Sequence, residues 1–342
     1  MHVAFITSPL EPEHVARMRA IAPNRVEIVH EPDLLPPVRY QGDHNGAPDF
    51  ALTAAQMDRW RSHLARATIL WDFPPDGLAS APNVRWVQTT SSGIGQRVAR
   101  LGLVESDLIV TTARGVHADA LAEFVFLVLL GHTKDLARLQ RDQRARHWER
   151  YCGGELAGKA IAVIGAGQVG ARVGAIARAF NMQVLAVVSR PTSERKAELC
   201  ADEVLGPQAL HAALARADYV VLATPHTPQT ERMIDAAALA AMKRGAVLIN
   251  IARGQVVDEA ALIAALRSGH VGAAALDVAE IEPLPASSPL WDMPNVLISP
   301  HSASTAPIEN AKIMDIYCHN LGYFRNNRFG DMRNVLDKRR MY

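Results

Sequence analysis

"AIAVIGAGQVGARVGAIARAF", residues 160–180, decides the fold. It opens with a short run of purely apolar residues, as in a strand buried on both faces. Gly165, Gly167 and Gly170 follow, and a helix-like stretch begins among them. Each glycine has a physical task in a dinucleotide site. Gly165 permits a tight turn, Gly167 lets the backbone approach a pyrophosphate, and Gly170 brings helix and strand close. The helix N-terminus then stabilises the anion. Glycines at this spacing also serve ordinary turns, so the context matters: a strand before, a helix after and more strands beyond.

Those further strands read as "MQVLAVV", "YVVLAT", "AVLINIA", "GAAALDV" and "VLISP", with alanine-rich helical stretches between most of them. Near-continuous apolar strands alternating with helices predict a doubly wound parallel sheet. Upstream lies a second alternation: "HVAFIT", "RVEIVH", a polar helix over Thr53–Arg66, then "ATILWDF" and "VRWVQTT". The Pro- and Gly-rich residues 31–50 are expected to be irregular. A long apolar helix from about Leu121 leads into an arginine-rich stretch ending "RHWERYCGGELAGK". A last helix is expected over Pro307–Phe324, and the basic tail "DKRRMY" is expected to be a solvated surface. The fold class is α/β, with two doubly wound parallel-sheet domains.

Composition removes other classes. A chain of 342 residues, 49% hydrophobic, suits two domains with substantial cores. A formal net charge of +1 with no basic stripe argues against nucleic acid as the partner. Cys152, Cys200 and Cys318 stand far apart, which fits a reducing compartment and offers no metal site. The N-terminus lacks a signal-peptide pattern, and the longest apolar run, "FVFLVLLG", is too short for a membrane span. The expectation is a soluble cytoplasmic protein that binds no membrane.

The end of the next strand bears on the choice of dinucleotide. An NAD site usually carries Asp or Glu there, on the adenosine ribose. "LAVVSRPTSERK" instead has Val188, Ser189 and Arg190, with Arg195 and Lys196 close behind. No carboxylate repels a 2′-phosphate and Arg190 suits one, so NADP(H) is favoured, with NAD(H) possible.

Three stretches follow predicted strand ends, where open α/β sheets bind ligands. They are "INIARGQVVDE" with Arg253, "ALDVAEIEPLP" with Asp277 and Glu282, and "SPHSAST" with His301. Singly, each has an ordinary explanation as an ion-pair partner, a loop acid or a turn residue. Together with "TTSSGIGQ", "AEFVFLVLL", the Trp148 segment before "ELAGK", the glycine motif and "TPHTPQT", the chain resembles the D-isomer-specific 2-hydroxyacid dehydrogenases. The resemblance runs from about residue 89 to the final helix.

It implies a discontinuous substrate domain, residues 1–114 and 302–342, of flavodoxin-like type, with a Rossmann cofactor domain, residues 115–301, inserted between. His301 would give a proton to a keto oxygen, Glu282 would hydrogen-bond it and favour imidazolium, and Arg253 would bind carboxylate and alkoxide. Backbone N–H groups of Ser92 and Gly93 would hold the substrate carboxylate, and closure of the cleft would bring them toward Arg253. Cofactor contacts are implied at Gly165, Gly167, Gln168, Val169, Gly170, Ser189, Arg190, Thr224, Pro225, Thr230, Ile251, Ala252, Asp277, His301 and Ala303. Asp277 would orient the nicotinamide carboxamide. Homodimerisation through the Trp148 segment is implied as well.

The chain departs from the family pattern in places. Gly95 and Gln96 stand where an acid is frequent, Ser302-Ala303-Ser304 replace glycines, and His226 replaces an apolar residue. The activity expected is NAD(P)H-dependent reduction of a small 2-keto acid to the D-2-hydroxy acid. Trp71, Asp72, Phe73 and Trp291 are candidates for substrate choice, although core packing would explain the tryptophans equally. A phosphite dehydrogenase on the same scaffold and a dinucleotide-sensing corepressor are the alternatives.

Overall fold

Strand and helix alternate from the first residues of the chain. In the computed structural model, which describes residues 1–21 and 23–342, β1 (His2–Ile6) leads to α1 (Pro12–Ile21) and β2 (Val26–Val29). Then come α2 (Ala54–Arg66), β3 (Ile69–Trp71), β4 (Trp86–Gln88), α3 (Gly95–Arg100) and β5 (Ile109–Thr111). Next are α4 (Ala118–Thr133), α5 (Leu136–Arg144), β6 (Ala160–Ile164), α6 (Gln168–Ala179), β7 (Gln183–Val187), α7 (Glu194–Glu198) and β8 (Glu203–Leu205). They are followed by α8 (Leu210–Arg216), β9 (Tyr219–Leu222), α9 (Ala236–Ala241), β10 (Ala246–Asn250) and α10 (Glu259–Arg267). The chain finishes with β11 (Val271–Leu276), β12 (Val296–Ile298) and α11 (Glu309–Phe324).

Two units result: Met1–Val116 with Thr305–Tyr342, and His117–Ser304. The first carries a sheet of order β2-β1-β3-β4-β5, the second a sheet of order β12-β11-β10-β9-β6-β7-β8. All pairings between these strands are parallel. Strand order reverses between β1 and β3 in one sheet and between β6 and β9 in the other. Such reversals open a crevice beyond the carboxyl ends of the strands. β6 and β10 are buried along their whole length, β6 as its unbroken apolar sequence requires and β10 up to and including the polar Asn250 that closes it.

In the first unit, α2 starts from a capping box: the Thr53 hydroxyl accepts from the Gln56 N–H, and the Gln56 side chain caps Thr53 in return. The core gathers Phe5, Trp71, Trp86, Tyr317 and Phe324, with Trp86 stacked on Tyr317 at 5.0 Å between centroids. This corrects one expectation. Trp71 and Phe73 are core residues, 1% and 3% exposed, rather than substrate-facing ones. Trp71 meets Tyr317 edge-on and Phe73 lies beneath the Arg97 guanidinium. Burying an aromatic side chain of this size stabilises by roughly 1.5–3 kcal/mol, which outweighs any pull toward the surface.

Residues 35–53 contain no helix or strand. A buried carboxylate organises them: Asp43 accepts from the Arg39 guanidinium and from the backbone N–H groups of Arg39, Asn45 and Gly46. The Arg39 side chain, against the cost of burial and with help from those N–H groups, holds the Asp43 carboxyl well below the usual carboxylate range. The basic tail also differs from expectation. Lys338 Nζ donates to the Ser106 and Leu108 carbonyls, so this ammonium is anchored rather than solvated. Among the described residues no helix is long and apolar enough to cross a membrane.

Candidate active site

The glycine turn has the geometry its sequence demands. Gly165 has φ +94°, and a Cβ there would lie 2.6 Å from the Thr224 backbone. A Cβ on Gly170 would lie 2.5 Å from the Gly165 carbonyl oxygen. One glycine thus permits the turn beside the loop after β9, and another lets α6 pack on β6. Gly167 caps α6 and meets open space, the room a pyrophosphate needs at a helix N-terminus. Gln168 is exposed and Val169 partly buried behind it. These residues therefore fit a dinucleotide.

Ser189 and Arg190 are exposed just beyond β7. Arg195, on α7, reaches back to the Ala166 carbonyl inside the glycine turn. A cavity of about 470 Å³ opens beside them, lined by Pro191, Thr192, Ser193 and Lys196 on one side. The acids on its other side are committed elsewhere, Asp202 to Arg178 and Glu203 to Arg216. Thr224 and Pro225 lead the loop after β9, which Thr230 braces by donating to the Pro225 carbonyl at 2.7 Å. His226 pairs with Glu231 in the same loop.

Beyond β10, β11 and β12 the second unit gathers its charged groups. His301 Nδ1 lies 2.8 Å from Glu282 Oε2, and Glu282 Oε1 accepts from the Ala279 N–H at 3.1 Å. Burial by itself would push the Glu282 carboxyl up. The hydrogen bond and charge of His301, the Ala279 N–H and the Arg253 charge outweigh it and hold the group below its ordinary value. Burial pushes the Arg253 guanidinium below its ordinary value, opposed by the charges of Glu282 and Asp277. The turn bearing Arg253 sits hard against the acid loop: a Cβ on Gly254 would lie 1.9 Å from the Ala279 carbonyl.

Asp277 is buried and its Oδ1 accepts three hydrogen bonds, from Ser299 Oγ at 2.6 Å and from the Ser302 and Ala303 N–H groups at 2.9 Å each. The His301 N–H donates to the Asp277 carbonyl at 2.8 Å. In this loop it is His301 that takes the left-handed conformation, φ +53°. The residues after it need no glycine, which accounts for Ser302-Ala303-Ser304.

Two contributors lie within the quoted stretches but were not singled out there. The Asn250 side chain, buried at the end of β10, accepts from the Ala252 N–H at 3.0 Å and donates to the Arg253 carbonyl at 3.1 Å. It fixes the turn of Ile251, Ala252 and Arg253. Ser299 does similar work for the histidine loop. The only signal was a polar residue closing an apolar strand.

In the first unit, Ser92 and Gly93 are exposed in the turn after β4. The Ser91 carbonyl there accepts from Thr89 Oγ1 at 2.7 Å and the Ala113 N–H at 3.2 Å, and the Gly93 N–H donates to Ser91 Oγ at 3.2 Å. Asp72 and Trp291 are likewise tied locally, by Thr90 Oγ1 and the Pro285 carbonyl. Among the described residues no group of three or more His, Cys, Asp and Glu side chains is placed to hold a metal.

A glycine turn feeding a helix N-terminus, with arginine, glutamate and histidine beyond neighbouring strands of the same sheet, defines a nicotinamide-dependent oxidoreductase. The profile of the D-isomer specific 2-hydroxyacid dehydrogenase NAD binding domain matches residues 126–303. Glyoxylate reductase of Aeropyrum pernix is 32% identical over 288 residues, 80% of this chain and 83% of that protein. D-3-phosphoglycerate dehydrogenase of Mycobacterium leprae is 36% identical over 250 residues, but this chain spans only 45% of its length. A D-isomer specific 2-hydroxyacid dehydrogenase from Xanthobacter autotrophicus Py2, solved with NADPH and MES, is 30% identical, with a TM-score of 0.77 and coverage of 100% and 99%. The chain belongs to the D-isomer specific 2-hydroxyacid dehydrogenase family.

Proposed function

We propose that this protein reduces small 2-keto acids, of the glyoxylate or hydroxypyruvate type, to D-2-hydroxy acids with NAD(P)H, and catalyses the reverse oxidation. The 2.8 Å contact of His301 Nδ1 with Glu282, in the same unit as Arg253, carries this reading. An ionised carboxylate only accepts, so Nδ1 is the donor in that pair. When the ring is protonated its second proton sits on Nε2, for delivery to the keto oxygen. Arg253 stabilises the negative charge that develops on that oxygen. The amides of Ser92 and Gly93 receive the substrate carboxylate, which displaces Ser91 Oγ from the Gly93 N–H. A bound nicotinamide cofactor supplies the hydride.

Gly165, Gly167 and the first turn of α6 hold the pyrophosphate, and Thr224, Pro225, Thr230, Ile251, Ala252 and Ala303 border the rest of the cofactor. Asp277 spends Oδ1 on the histidine loop, and its second oxygen serves the carboxamide. NADPH is preferred: Ser189 and Arg190 end β7 where an acid would select NADH, and the relative from Xanthobacter was solved with NADPH. A homodimer is supported by Leu136, Leu139 and Trp148, which stand exposed on and after α5, Trp148 at 94%. The three free thiols suit a reducing, cytoplasmic setting.

The test is a panel of 2-keto acids assayed with NADH and with NADPH. The expected result is reduction of at least one small acid, faster with NADPH. No reduction with either cofactor would remove this reading.

A further inference from the structure

The turn that bears Ser92 and Gly93 is held from outside its own sequence, by the last residues of the chain. On its upstream side, the Ser91 carbonyl accepts from the Ala113 N–H. Residues 112–114 are gripped in turn by Asn334. The Asn334 carbonyl accepts from the Thr112 N–H at 3.0 Å, and its side chain donates to the Thr112 and Arg114 carbonyls at 3.2 and 2.8 Å. Asn334 has φ +58°, a conformation asparagine tolerates better than most residues. One residue on, Val335 forms an antiparallel bridge with Thr111, and the Leu336 N–H donates to the Val110 carbonyl at 2.8 Å.

On the downstream side the same segment turns back. Lys338 and Arg339 anchor to Leu108 and Glu105, and the Asp337 N–H meets the Tyr342 carbonyl at 3.2 Å. This lays Met341 across the first residue of α3. A Cβ on Gly95 would stand 2.3 Å from the Met341 carbonyl oxygen and 2.8 Å from its Cα. No side chain fits there while the tail is docked, which is a physical reason for glycine at this position.

We infer that residues 334–341 form a clasp that positions the Ser92 and Gly93 amides for the substrate carboxylate; this rests on the carboxylate role proposed above. Amide donors bind an anion tightly only when the backbone already holds them in place. Ser92 and Gly93 lie in an exposed turn; the clasp reaches its start through residues 112–114 and packs against Gly95 just after it. Asn334, Gly95 and Met341 are positioning residues: they act through the turn and touch no reacting atom.

Two variants separate this from general stability. One is the chain ended at Lys338. The other is Asn334→Gly, which keeps the backbone conformation and loses the side-chain bonds. Matched far-UV spectra and unfolding transitions show that each is folded. Three quantities are read: amide exchange over residues 91–96, the dissociation constant of oxalate, and steady-state constants for the reduced keto acid. We expect faster exchange, and oxalate binding and KM each weakened about tenfold, with kcat and NADPH affinity within twofold. Unchanged exchange in both variants overturns the clasp. Faster exchange with unchanged oxalate binding overturns its positioning role. An intact chain that reduces no acid removes the reductase reading and leaves the clasp to be judged by exchange and oxalate, which need no turnover.

Discussion

His301 Nδ1 and Glu282 Oε2 lie 2.8 Å apart, and the second oxygen of Glu282 is tied to the Ala279 N–H. The carboxylate thus has a fixed orientation where it meets the imidazole, and Nδ1 is committed to that pair. Removing the ring should cost turnover without touching the glycine turn. His301→Asn suits the φ of +53° better than alanine would. It should lower kcat by on the order of 10²–10⁴-fold, with NADPH affinity within twofold. Steady-state kinetics and a fluorescence titration check this, and unchanged turnover ends the proton-donor assignment.

The Glu282 carboxyl is held below its ordinary value of 4.5. A depressed carboxyl contributes stability that is fully present above the ordinary value and lost as pH falls through the folded one. Urea unfolding of the wild type and of Glu282→Gln should therefore differ most above the ordinary value and converge as the pH falls well below it. Since Glu282 is partly exposed, the difference should be small. Divergence on acidification would contradict the assignment.

Arg190 should matter for one cofactor only. Arg190→Ser removes a charge-assisted contact to a 2′-phosphate, a loss of about 1.5–3 kcal/mol, so KM for NADPH should rise roughly 10- to 100-fold. KM for NADH should stay nearly constant. Parallel loss with both cofactors would point to a structural role.

Gly165→Ala brings two penalties together, a φ of +94° and a Cβ 2.6 Å from the Thr224 backbone. Each such strain costs of order 1–3 kcal/mol. The variant should unfold at lower denaturant and bind NADPH more weakly. Normal stability with normal binding would show that the turn adapts more easily than its geometry implies.

The second unit was the more legible in sequence because its central strands, β6, β9 and β10, are buried along their whole length and almost wholly apolar. β5 and β8 were missed. Each is a three-residue strand at the edge of its sheet. Arg253, Glu282 and His301 could be singled out because each follows a strand end, and the structure brings His301 and Glu282 into contact. Trp71 and Phe73 could not be assigned from sequence, since an aromatic residue at a strand end reads alike whether it faces the core or a cleft. Asn250 bonds only backbone groups, and Ser299 bonds the Asp277 carboxylate, which is distant in sequence; neither task leaves a spacing to recognise. The tail was read as a charged surface because the partners of Lys338 are main-chain carbonyls, which no sequence displays.

The three donors on Asp277 Oδ1 have a consequence for how this loop can vary through evolution. Of Ala303 the loop uses only the main-chain N–H, and of Ser302 the N–H together with a hydroxyl that donates to the Pro300 carbonyl at 3.2 Å. Any residue except proline supplies an N–H, so these positions can drift while the histidine stays where it is. The inheritance constraint falls on one aspartate twenty-odd residues upstream.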